Sequence, residues 1–101
     1  MARYRIVHWR DIPSAVEAFE DDRIARLPLS QRFQDLIDAV AMKLGASDTE
    51  AYLEGWSRGP EAERPGSPDV VARQVVDELE AGFQDLVVRR LLEGPGGSPA
   101  A

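Results

Sequence analysis

The stretch that decides the fold class is Tyr4-Arg5-Ile6-Val7-His8-Trp9-Arg10, which runs directly into Asp11-Ile12-Pro13. Successive side chains of a β-strand point to opposite faces, so this stretch places apolar residues on both faces. One face would carry Tyr4, Ile6 and His8, and the other Arg5, Val7 and Trp9. The pattern is typical of a central strand. Because proline donates no amide hydrogen and restricts the residue before it, we expect a short corner at residues 11–13.

Two further strand patterns follow at once. Residues 14–20 predict a second strand and residues 23–29 a third, with a tight turn at Asp21 and Asp22 between them. Pro28 restricts the third strand to an edge or an end of the sheet. The simplest arrangement is an antiparallel meander of about three strands.

Helical periodicity dominates the rest of the chain. Ser30 is the predicted N-cap of a first helix that ends at Gly45. The apolar stripe of this helix consists of Phe33, Leu36, Ile37, Val40, Ala41 and Leu44. A capping box at residues 47–50 predicts a short second helix that Gly59-Pro60 ends. Its core-facing residues would be Tyr52, Leu53 and Trp56.

Proline and glycine are frequent in residues 59–68, which therefore predict a surface loop. Ser67-Pro68-Asp69 predicts the start of a third helix, which we expect to run to about Leu92 although Gly82 interrupts it. The layout predicts a single α+β domain over residues 1–93, a small N-terminal antiparallel sheet packed against about three helices. Residues 94–101 contain no core-forming side chain, so we expect a disordered and dispensable C-terminal tail.

Composition narrows the function classes. The chain has no cysteine, which excludes disulfides and thiol nucleophiles, and its net charge is -6. Residues 33–101 carry thirteen acidic against six basic groups, so we expect no nucleic-acid partner. No signal peptide pattern precedes the first strand, and no apolar run approaches the roughly 18 residues of a membrane span. A cytoplasmic protein without membrane contact is the expectation.

His8 is the only histidine of the chain. A metal site would need further ligands around it, and a hydrolytic triad would need a positioned nucleophile. We therefore expect His8 to be a structural or interface residue, and we predict neither a metal nor a cofactor.

Two other groups are candidates for binding. At the strand end, Trp9 would anchor the corner, while Arg10 and Asp11 would pair with each other or reach a partner's carboxylate or phosphate. Gln34 and Asp38 lie one helical turn apart, in line with Met42, beside the apolar stripe of the first helix. This line is either a partner-facing edge or the margin of an amphipathic helix.

Together with Arg32-Phe33-Gln34, Ile37-Asp38, Ala41-Met42, Asp48, Tyr52-Leu53 and Trp56, the first stretch resembles a small bacterial family, the virulence factor domain. The resemblance covers roughly residues 4–80. The family name describes a phenotype of some relatives and not an activity. The resemblance implies an accessory role in one-carbon metabolism, beside corrinoid-dependent methyltransferases and methylenetetrahydrofolate reductase.

The leading hypothesis is a non-catalytic accessory or partner-binding protein of such a methyl-transfer system, with a methyltransferase or methylenetetrahydrofolate reductase as the protein partner. The predicted partner-binding residues are His8, Trp9, Arg10, Asp11, Arg32, Gln34 and Asp38. One alternative is a sensor that binds a small anionic or folate-like molecule. Another is a small enzyme that uses His8 with a carboxylate such as Asp38. Homo-oligomer formation through residues 86–88 and 91–92 is also open.

Overall fold

The computed structural model describes residues 1–45 and 49–93. Within these ranges the chain is an α+β structure with five strands and four helices. In chain order the elements are β1 (Ala2–Trp9), β2 (Ile12–Glu20), β3 (Arg23–Pro28), α1 (Gln31–Lys43), α2 (Thr49–Glu54), β4 (Trp56–Arg58), β5 (Ala62–Arg64), α3 (Pro68–Ala81) and α4 (Phe83–Glu93).

Strand β1 lies in the centre of one antiparallel sheet, as its two apolar faces predict. It pairs with β2 along one edge, and β2 pairs in turn with β3. Along its other edge, β1 pairs with β4 through Val7–Trp9 and with β5 through Ala2–Tyr4. The meander of β1, β2 and β3 is confirmed, and the sheet is larger by two short strands.

Strands β4 and β5 correct the sequence prediction for residues 55–68. Helix α2 ends at Glu54, so Trp56 lies in a strand and not in a helix, and part of the predicted loop forms β5. Each of these strands has three residues, too few to show a two-residue alternation. They form because the free edge of β1 supplies backbone partners, and between them the Gly59 amide donates to the Ile6 carbonyl over 2.9 Å.

The corner between β1 and β2 is also shorter than predicted. Arg10 and Asp11 form the turn, and β2 already begins at Ile12 and includes Pro13. Pro13 lies opposite His8, where the register with β1 shifts and Ser14 is left as an extra residue. A β-bulge tolerates proline because the ladder hydrogen bond is lost there in any case.

The first and third predicted helices are present, with one correction. Helix α1 ends near Gly45, whose φ of 71° lies in the left-handed region that glycine adopts without strain. Ser67 caps α3 as predicted, since its side chain accepts from the Val70 amide. The predicted long helix is divided at Gly82 into α3 and α4, and this turn brings Phe83 edge-on to Phe33, with ring centroids 4.8 Å apart.

Helices α1 and α3 pack on the sheet around one apolar core. Phe33 and Ile37 are buried as predicted, whereas Leu53 is 60% exposed and does not face the core. The largest fully buried side chains are Trp9, Phe33, Ile12, Ile37, Val16, Val71 and Pro68.

Several predictions fall outside the described residues. These are the capping serine and aspartate at residues 47 and 48, the tail at residues 94–101, and the side chains of residues 91 and 92 that would support self-association. Within residues 1–45 and 49–93, no helix combines the length and apolar character that crossing a bilayer requires.

Candidate functional site

The Trp9 ring lies beneath the turn formed by Arg10 and Asp11, called here the corner, and it is not exposed at the surface. It is 0% exposed, and its Nε1 donates to the Tyr52 carbonyl over 2.7 Å. The Tyr52 ring stacks on it with centroids 5.8 Å apart. Trp9 therefore joins the end of β1 to α2, and its ring is not available to fill a pocket of a partner.

Arg10 is the exposed residue on this base. Its φ of 56° is a left-handed conformation that costs a residue with a side chain of order 1 kcal/mol. The backbone compensates, since the Arg10 amide donates to the Gly55 carbonyl over 2.7 Å. The guanidinium lies 5.2 Å from the centroid of the Trp9 ring, and no ion pair between described residues includes it. The turn thus holds a cation at the surface on a rigid aromatic support.

Gln34 and Asp38 are connected to the same support. The Gln34 Nε2 donates to Asp38 Oδ1 over 3.0 Å and to the Tyr52 hydroxyl over 3.3 Å. Because Tyr52 also stacks on Trp9, the outer edge of α1 is linked to the corner by a chain of side-chain contacts. The sequence assigned Tyr52 only to the core, and its role as the link depends on where α2 packs.

Arg32 serves a different purpose. Its Nη2 donates to Glu80 Oε1 over 3.0 Å and to the Glu80 carbonyl over 2.7 Å, and its guanidinium lies 4.4 Å from the centroid of the Phe83 ring. These contacts fasten the start of α1 to the end of α3. Arg32 is therefore engaged within the domain and lies on the side of α3 and α4.

Glu80 also corrects the prediction for Ser30. Ser30 occupies the N-cap position of α1, but its side chain makes no cap hydrogen bond. Its amide and hydroxyl donate instead to the Glu80 carboxylate over 2.6 and 2.8 Å. Burial raises the pKa of Glu80, but the bonds from Ser30 and Arg32 outweigh it and lower that pKa below the ordinary value.

His8 is half-buried on β1, and burial lowers its pKa, which favours the neutral imidazole. It lines a cavity of about 250 Å³ with Asp11, Glu78 and Arg89. The Glu78 carboxylate is occupied by a two-pronged pair with Arg64, at 2.6 and 2.7 Å. Among the described residues, no serine, threonine or tyrosine lines this cavity. The described residues also contain no group of three or more His, Asp or Glu side chains that could bind a metal ion.

A second charged cluster lies on the opposite face of the sheet. Glu17 is only 8% exposed, and its Oε1 accepts from Arg5 Nε at 2.8 Å and from Arg58 Nε at 3.3 Å. Arg26 Nη1 lies 3.6 Å from the other carboxylate oxygen. The hydrogen bond from Arg5 lowers the pKa of Glu17, and burial opposes it only in part.

Sequence reasoning missed this cluster. Its members lie on four strands, and cross-strand register places Arg5 and Arg26 on either side of Glu17. Alternation within each strand indicated which face each side chain takes. It did not indicate which strands are neighbours, and β4, which carries Arg58, was not predicted as a strand.

The described residues thus define a small α+β domain, with α1 and α3 against one face of its sheet and an arginine-glutamate cluster on the other. A family model described as Virulence factor matches residues 7–92, and the chain belongs to this family. The resemblance inferred from the first stretch is confirmed. No curated protein and no solved structure matches the chain.

Proposed function

We propose that the protein is a non-catalytic accessory protein that binds a larger protein through the corner surface, which consists of Arg10, Asp11, Gln34 and Asp38. The observation that carries the proposal is the presentation of Arg10. An exposed guanidinium is supported by a fully buried tryptophan ring, while the backbone beneath it is fixed by a hydrogen bond to Gly55.

This arrangement reduces the cost of binding through arginine. Ordering a long, free side chain costs roughly 0.5–1.5 kcal/mol on association. Contact with the Trp9 ring and the fixed turn restrict Arg10 before a partner arrives. Arginine is also enriched among the few interface residues that carry most of the binding free energy. Gln34 and Asp38, which are linked to the Trp9 ring through Tyr52, add an amide and a carboxylate, so the proposed surface offers charges of both signs.

As partners we propose a corrinoid-dependent methyltransferase or methylenetetrahydrofolate reductase, in the cytoplasm. Their support is what the family resemblance implies. The contacts at the corner are compatible with a protein surface that carries a carboxylate opposite Arg10. The domain would then act by positioning or stabilising the enzyme, and not by supplying a reacting group.

The test is isothermal titration calorimetry, in which each purified candidate enzyme is titrated with the wild-type protein and with Arg10→Ala. We expect the substitution to weaken binding by about 2 kcal/mol, which is a factor of about 30. Arg10→Lys should recover only part of the loss, because an ammonium group keeps the charge but not the forked donors.

Arg73→Ala is the matched control, because Arg73 is exposed on α3 and belongs to no ion pair between described residues. It should bind like the wild type. Thermal unfolding should show that all three variants fold. The proposal is wrong if Arg10→Ala binds a partner as tightly as the wild type does, or if neither enzyme binds the wild type.

A further inference from the structure

We propose that the sheet face opposite α1 and α3 contains a binding site for a small organic anion, a carboxylate or phosphate group attached to a planar ring. The site, called here the arginine cavity, is lined by Val7, Ser14, Arg26, Trp56, Ser57 and Arg58 and has a volume of about 300 Å³. It shares no residue with the corner surface, so it does not rest on the proposed function.

The charge of this face is the first argument. Four arginines, Arg3, Arg5, Arg26 and Arg58, lie on this face with three glutamates, Glu17, Glu61 and Glu63, which leaves one more positive than negative charge. The whole chain, by contrast, carries a net charge of -6. A local positive excess on an acidic protein favours the binding of anions at this face.

The second argument is the supply of free hydrogen-bond donors. Each guanidinium has five N–H groups. Arg58 uses its Nε in a hydrogen bond to Glu17, and Arg26 approaches Glu17 only to 3.6 Å, which is too long for a hydrogen bond. The side chains of both are 59% exposed. Glu17 therefore orients the two arginines without saturating them, and a carboxylate or phosphate would accept from both forks.

The third argument is the composition of the walls. Ser14 is the extra residue of the β2 bulge, and the bulge places it beside the cavity with Ser57. Ser14 and Ser57 thus line the same space as the two arginines. Val7 and the half-buried Trp56 supply an apolar side, and Trp56 is held edge-on to Tyr52 with ring centroids 5.9 Å apart. A rigid indole beside a cationic fork fits a planar anion.

Size limits the class of ligand. A cavity of about 300 Å³ is at the lower end of the range for small-molecule sites. It accommodates one ring with one anionic group. Phenyl phosphate and benzoate are therefore the probes, since they distinguish the two anionic groups on the same ring. Inorganic phosphate tests the anion without a ring, and benzamide tests the ring without the charge.

Binding is measured by tryptophan fluorescence and by calorimetry. The chain has two tryptophans, and because Trp9 is fully buried, a ligand at the cavity changes the emission of Trp56. We expect phenyl phosphate or benzoate to bind in the millimolar range or tighter, and to bind at least tenfold more tightly than benzamide, a difference of about 1.4 kcal/mol. Inorganic phosphate should bind more weakly than phenyl phosphate, because it does not contact Trp56.

Arg58→Gln and Arg26→Gln should each weaken binding by about tenfold. Arg26→Gln removes no hydrogen bond of Glu17, so it tests the site even if Arg58→Gln disturbs the fold. Arg73→Gln, which makes the same change of charge on α3, should leave binding of the ring anions unchanged. Two outcomes would overturn the site: no saturable binding of either ring anion to the wild type, or equal loss of affinity in Arg26→Gln and Arg73→Gln.

Discussion

Two glutamates on α3 make the sharpest test of the packing. Glu78 and Glu80 lie two residues apart near the end of the same helix, and each pairs with one arginine. They differ in what else they hold. Glu80 accepts from the Ser30 amide and hydroxyl as well as from Arg32, and its side chain is 24% exposed. Among the residues that the structure describes, Glu78 binds only Arg64, and its side chain is 59% exposed.

The structure sets the expected magnitudes for Glu80→Ala and Glu78→Ala. Loss of an N-cap acceptor costs about 1 kcal/mol, and loss of a hydrogen bond to a charged group about 1.5–3 kcal/mol. Because Glu80 remains partly exposed, we expect the lower part of the sum, about 2.5–3 kcal/mol for Glu80→Ala. Solvent screens an exposed ion pair, so Glu78→Ala should lower the free energy of unfolding much less than Glu80→Ala does. Both changes gain the same helix propensity, which cancels in the comparison.

The assay is thermal unfolding followed by circular dichroism, with urea unfolding for the free energies. For a domain of this size, 1 kcal/mol shifts the Tm by roughly 4–8 °C. Glu80→Ala should therefore lower the Tm by about 10–20 °C, and Glu78→Ala should lower it by a clearly smaller amount. Equal shifts in the two variants would refute the idea that Glu80 completes the N-terminus of α1.

Three further predictions concern pH and two glycines. Glu17 and Glu80 have lowered pKa values in the folded protein, so their contribution is present above the unfolded pKa of about 4.3 and is lost as pH falls through the folded values. The urea concentration at the unfolding midpoint should therefore decrease as the pH is lowered from about 5 to about 3, and the decrease should be less steep in Glu80→Gln. Midpoints that stay constant over this range would contradict the assignment. Gly55→Ala should lower the free energy of unfolding, measured with urea, by about 1–3 kcal/mol, because a Cβ there would lie 2.5 Å from the buried Trp9 Nε1. An unchanged free energy would mean that the indole can move. Gly82→Ala should raise the free energy of unfolding by about 0.4–1 kcal/mol, because the φ of -89° at Gly82 suits alanine and an added Cβ would lie 3.7 Å from its nearest neighbours. A loss of stability would show that the break between α3 and α4 needs glycine.

Much of the fold followed from patterns that extend over a few residues. Alternation in residues 4–10 indicated a central strand, and spacing around Phe33 and Ile37 indicated a buried helix face. Ser67 before Pro68 indicated where α3 begins. These predictions held because a strand face, a helix stripe and a cap depend on neighbours within about one turn.

The candidate sites were predicted less well, because their partners are distant in sequence. Trp9 and Arg10 were both assigned to a partner-binding surface, and the contact that packs Trp9 comes from Tyr52, which lies 43 residues away. Ser30 was assigned a capping bond of its own, yet the carboxylate of Glu80, 50 residues away, takes both donors. No local pattern encodes such pairings.

The sequence by itself determined the element types of the first three strands and of α1, the start of α3, and membership of the Virulence factor family, which a motif near the corner already indicated. Only the tertiary structure decided that residues 56–58 and 62–64 complete the sheet, that Trp9 supports Arg10 from below, and that Glu17 gathers arginines from three other strands. The physical reason is range. Backbone propensity and periodicity act between near neighbours, whereas sheet edges, burial and ion pairs depend on which distant segments the packed core brings together.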